Sequence, residues 1–88
     1  MRIDLMYDET EQTTTRFVGF FGSQERFDLA ITLTEHFYGK KLVTCLQTNR
    51  TAILNQEEAE NASYLYEVFQ LRTETDAEEM SIFLSQNL

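Results

Sequence analysis

Eighty-eight residues, 42 % of them hydrophobic and 25 % charged, describe one ordinary globular domain rather than a disordered chain. The net charge of −8 sets most of the surface against phosphate backbones, which disfavours general nucleic-acid binding. A single cysteine, Cys45, excludes an internal disulfide, and no apolar run approaches the roughly 20 residues that a membrane-spanning helix needs.

The first twelve residues, "MRIDLMYDETEQ", carry four acids and Arg2, for a local net charge of −3. They hold no long apolar stretch and do not read as a secretory signal, so the expected location is the cytoplasm. The sequons at Asn49 and Asn61 then have no meaning, because glycosylation needs a secretory route. Alternation of Ile3 and Leu5 with Asp4 and Met6 is compatible with a short edge strand, a fifth one, and 1–12 otherwise reads as a loosely attached N-terminal segment.

The main sheet begins at residues 14–21. "GSQE" at 22–25 has hairpin length, and 26–33 is the second strand, with Phe27, Leu29, Ile31 and Leu33 on one face. The first strand does not alternate. Phe17, Val18, Phe20 and Phe21 put apolar groups on both of its faces, interrupted by Gly19 and closed by Gly22. "TEHFYGKK" is a turn in which Gly39 takes a positive φ cheaply. The third strand, 41–48, holds the nearly continuous apolar run Leu42 to Leu46, as a central strand covered on both sides does. Asn49 suits a left-handed turn position, and 50–54 is the fourth strand.

The period then changes. Asn55 with Glu58 is a helix-start signal, followed at helical spacing by Ala59, Ala62, Leu65, Tyr66 and Phe69. Tyr64, Val68 and Leu71 make this helix apolar nearly all round, and a strand at 64–70 is the alternative. Thr75 with Glu78 predicts a second cap, leading a stripe of Ala77, Met80, Phe83, Leu84 and Leu88. The acids at 74, 76, 78 and 79 suit a helix N-terminus. Strands first and helices second predict an α+β domain. It has a four-stranded, largely antiparallel sheet with one or two C-terminal helices packed on one face.

Chemistry-bearing patterns are sparse. His36 and Cys45 would be the only nucleophile–base pair, but Cys45 sits in an apolar run where a thiol is an inert small hydrophobe. Glu57, Glu58 and Glu60 lack metal-ligand spacing, and neither a P-loop nor G-x-G-x-x-G is present. No cofactor, metal or catalytic residue is expected, and the chain reads as non-enzymatic. Residues 13–54 carry a net charge of +2. Their bases Arg16, Arg26, Lys40, Lys41 and Arg50, with nearby aromatics, leave a single-stranded RNA or small-ligand face as the alternative reading.

Seven Phe and four Tyr exceed what so small a core needs. Such a surplus marks an association surface. The candidate interface residues are Phe17, Val18, Phe20, Phe21 and Tyr38, and the partner is another protein or a second copy.

The phrases "TRFVGF" (15–20), "RFDLAI" (26–31), "FYGKKLV" (37–43), "LQTNRTAIL" (46–54) and "DAEEMSIFL" (76–84) resemble those of a family of small Firmicutes proteins, domain of unknown function 3055. The resemblance spans roughly residues 5–86. It implies a cytoplasmic bacterial protein of no assigned activity and supplies no catalytic residues.

Overall fold

The computed structural model describes residues 2–88. Four strands, β1 (Thr14–Phe21), β2 (Arg26–Leu33), β3 (Lys41–Cys45) and β4 (Arg50–Leu54), form one antiparallel sheet in the order β1-β2-β3-β4. Three helices follow: α1 (Gln56–Ala59), α2 (Ala62–Val68) and α3 (Glu74–Asn87). The α+β class and the antiparallel meander are as the sequence predicts. The helices number three rather than one or two, and among the described residues no fifth strand joins the sheet.

Each connection has a local cause. The β1–β2 turn is closed by Gly22 N–H donating to Glu25 C=O at 2.7 Å. The β2–β3 turn uses positive φ at Tyr38 and Gly39, and the β3–β4 turn uses it at Asn49. Gly39 and Asn49 are the two residues whose chemistry predicts that conformation. The resulting register pairs Phe20 with Phe27, Val18 with Leu29, Ile31 with Val43, and Val43 with Ala52. These residues therefore share one face, and the helices cover it. Leu29, Ile31, Val43, Cys45 and Leu54 meet Leu65, Phe69, Met80 and Leu84 there, and all are fully buried.

The helical half departs from expectation in two places. The helix predicted after Asn55, apolar nearly all round, is split in two. Asn55 and Glu58 close a reciprocal capping box at 2.7 and 3.0 Å, but α1 stops after one turn. Asn61 then caps α2, its side-chain oxygen accepting from Tyr64 N–H at 3.1 Å. An Asn offers the backbone a competing bond, so it favours a cap over a helix interior. The stretch 64–70 is thus helix as far as Val68, not strand. Gln70 adopts φ 51°, and the bonds Gln70 N–H to Glu67 C=O and Leu71 N–H to Tyr66 C=O end α2.

The cap of α3 is Thr73, not Thr75: its hydroxyl accepts from Asp76 N–H at 3.1 Å. The same threonine-to-acid spacing occurs two residues earlier than expected, and starting there turns Asp76 inward.

β1 has a covered face and an open one. Phe20 stacks on Phe83 of α3 at a centroid distance of 4.5 Å and lies 5.5 Å from Phe27. Phe17 lies on the other face, 77 % exposed. Phe83→Ala is expected to cost about 2 kcal/mol in urea unfolding, below a fully buried Phe because Phe83 is only half-buried. Phe17→Ala should stay within about 0.5 kcal/mol.

Candidate functional site: the edge strand β1

The sequence-predicted interface residues divide among three places. Phe17 and Phe21 are on the open face, 77 % and 86 % exposed. Val18 and Phe20 are on the helix face, half-buried against the core. Tyr38 is fully exposed on the β2–β3 turn, at the opposite end of the sheet from Phe21. The structure therefore brings Phe17 and Phe21 together on one strand. It withdraws Val18 and Phe20 from the open face and leaves Tyr38 apart.

The open face is otherwise mild. Thr15 and Thr32 share a side-chain hydrogen bond at 2.9 Å, as do Thr44 and Thr51 at 2.9 Å. Ala30, Leu42 and Ile53 are half-buried among them. Its charged groups, Arg26 and Asp28, face each other. Nε and Nη2 of Arg26 both donate to the Asp28 carboxylate at 3.1 Å, and Gln47 Nε2 adds a bond at 2.7 Å. The Arg26 guanidinium, then the Gln47 amide, hold Asp28 below the usual carboxylate range.

The remaining bases are dispersed. Arg16 donates to Asn87 C=O at 2.7 Å on the helix side, Lys40 pairs with Glu58 at 3.3 Å, and Arg50 donates to Gln70 at 3.0 Å. Lys41 begins β3 on the row shared by Val43 and Cys45. No basic row forms on the open face among the described residues, so the footprint of a single-stranded RNA platform is missing there.

Among the described residues, none pairs with the edge of β1 in the plane of the sheet. Asp28 directs both backbone groups toward β3: its N–H donates to Gln47 Oε1 at 2.8 Å and its C=O accepts from Leu46 N–H at 3.0 Å. Gly19, opposite Asp28, therefore directs its own N–H and C=O outward. By the two-residue period, Thr15, Phe17 and Phe21 do the same.

Residues 2–13 form no strand along this edge. The segment is held at the β2–β3 turn, where Glu11 accepts from the Thr34 hydroxyl. Nδ1 of His36 lies 3.4 Å from Glu11 and 3.7 Å from Glu9. The radius of gyration, 14.5 Å, exceeds the about 12 Å of a compact chain this long, as an extended segment requires.

Cys45 and His36 are not brought together. Cys45 ends β3 buried, and His36 precedes the start of that strand, so roughly 13 Å of strand separates the two ends. Glu58 is engaged by its cap and Lys40, and Glu60 by Gln56. Among the described residues no three acidic, His or Cys side chains group as metal ligands. A depression between α2 and α3 is lined by Tyr66, Glu67, Glu74 and Glu78 rather than by a Phe and Tyr pocket under the sheet.

One buried acid has no signature in the sequence pattern. Asp76 is fully buried, and neither carboxylate oxygen has a hydrogen-bond partner. Burial, then the neighbouring Glu25 carboxyl, pushes its pKa up, and Glu79 adds to the effect. Sequence periodicity placed Asp76 in an acidic first turn, and only its inward direction distinguishes it from Glu74 and Glu78.

A family model described as SAV0927-like matches residues 6–86. The chain belongs to the SAV0927-like family. That description names no activity, and the match contains all five quoted phrases. No curated protein matches this SAV0927-like chain.

Two outcomes follow from these placements. Cys45 should react with a mild alkylating reagent only at the rate of unfolding, read by mass spectrometry with and without denaturant. A raised carboxyl pKa in the fold means that Asp76 stabilises when protonated and loses that contribution as pH rises above its ordinary value of 3.8. Asp76→Asn should therefore raise the melting temperature at pH 7 by a few degrees, with the gain shrinking toward pH 4.

Proposed function

We propose that this SAV0927-like chain is a non-enzymatic protein–protein association module that presents β1 to its partner. The observation that carries the reading is the exposure of Phe17 and Phe21 on the same face of an edge strand, with Gly19 between them. Large aromatics left in water on one face of a strand mark interfaces, because burying them is worth more than any solvated arrangement returns. The separation of His36 from Cys45 and the self-paired charges of the open face favour binding over chemistry. The family phrases and the single cysteine support a cytoplasmic setting in Firmicutes.

The test is site-specific photo-crosslinking in the native host. A crosslinking residue at 17 or 21 should capture a discrete protein adduct. The same residue at 82, exposed on the solvent side of α3, should not. If 17 and 21 capture nothing beyond the level at 82, the association reading is wrong.

A further inference from the structure

We propose that the partner is a second copy of this chain. The two copies pair antiparallel through the free edges of β1, about a twofold axis at Gly19, and join two four-stranded sheets into one of eight. The inference rests on the association reading above and names its partner.

The backbone sets the choice of register. Thr15, Phe17, Gly19 and Phe21 direct their N–H and C=O groups outward, so a second β1 must match these residues with its own outward set. Three central registers satisfy this. One places the axis at Gly19, opposing Gly19 with its twin and Phe17 with the partner's Phe21. Another places it at Val18, opposing Phe17 with the partner's Gly19. The third places it at Phe17, opposing Phe17 with its twin but leaving Phe21 opposite the partner's Thr13, beyond the end of β1.

Side chains favour the axis at Gly19. On the open face, each exposed Phe then meets a Phe, one pair on either side of the paired glycines. Gly19 is already constrained from within, since a Cβ there would meet Asp28 Oδ1 at 2.9 Å. On the helix face, Val18 meets the partner's Phe20, covering the parts of both that α3 leaves in water.

Charge favours the same register. Arg16 comes opposite the partner's Gly22. Over Gly22 lies the carboxylate of Glu79: a Cβ at Gly22 would meet Glu79 Oε1 at 2.9 Å, and Ser23 N–H donates to Glu79 Oε2 at 2.9 Å. Each Arg16 thus meets the partner's Glu79, and symmetry makes the contact twice. With the axis at Val18, Arg16 would oppose the partner's Phe20 and both complementarities are lost.

The same features favour a second copy over an unrelated protein. The edge matches itself in hydrogen bonds, rings and charge. It also lacks the usual defences of an edge strand: it is eight residues long, with no Pro or Lys, and Arg16 is its one charged residue. Two chains of net charge −8 repel elsewhere, whereas β1 contains no acidic residue of its own. The edge is small for a permanent dimer, so a micromolar dissociation constant is expected.

The test uses purified full-length protein. Sedimentation equilibrium from low micromolar to several hundred micromolar should show conversion to twice the chain mass. Arg16→Glu should weaken the dimer about tenfold, with the defect shrinking in high salt. Phe17→Cys/Phe21→Cys should form a covalent dimer on mild oxidation, and Val18→Cys should not. A wild-type monomer at every concentration overturns the proposal. So does crosslinking through Val18→Cys without the 17/21 pair, because it moves the axis. A monomer in solution together with cellular adducts of a different protein at 17 and 21 sinks the second copy while the association reading stands.

Discussion

The constraint on which the molecule depends is that its helices can cover one face of the sheet. Residues 55–88 follow β4 and fold back as a single layer, and the apolar row from Phe27 to Leu54 is buried beneath them. Everything on the other face must be tolerable in water. Threonines bonded to threonines, a self-neutralised Arg26–Asp28 pair and half-buried aliphatic side chains satisfy that requirement. Phe17 and Phe21 do not, which makes them the informative residues.

The two-layer arrangement also decides what β1 is. As the first strand of a meander it has a neighbour on one side only, and the N-terminal segment is drawn away to the β2–β3 turn by Glu9 and Glu11 near His36. Half of its backbone groups are left without a strand to bond. Apolar side chains above, apolar side chains below and unpaired amides between them are three separate demands. One added strand answers all three at once.

The link between the β1–β2 hairpin and α3 is unusual in being acidic. Ser23 bonds Glu79, Arg72 pairs with Glu25 at 2.7 Å, and Asp76 is buried among them without a donor. Carboxyl groups crowded at low dielectric oppose the folded state at neutral pH. The hairpin is kept in place despite them by the Phe20–Phe83 stack and the bonds to Ser23. The same Glu79 that holds the turn also places a negative charge at the end of the free edge, where an arginine of opposite sign can be met.

Much of this was legible in the sequence. The positions of β1, β2 and β4, the turns at Gly39 and Asn49, the Asn55–Glu58 box and the two-faced character of residues 17–21 all follow from period, φ preference and hydrogen-bonding chemistry, which act over a few residues. The apolar run Leu42 to Leu46 misleads: β3 ends at Cys45 rather than 48 and is covered on one face only, because Leu46 belongs to the exposed β3–β4 turn. Tertiary structure decided the rest. Which of Phe17 and Phe21 or Val18 and Phe20 faces the helices depends on register with β2 and on where α3 lies. The break at Asn61 and the shift of the α3 cap to Thr73 depend on which side chains must reach the core. The direction of Asp76 and the unpaired edge of β1 depend on neighbours tens of residues away, and no local pattern encodes what a distant segment leaves uncovered.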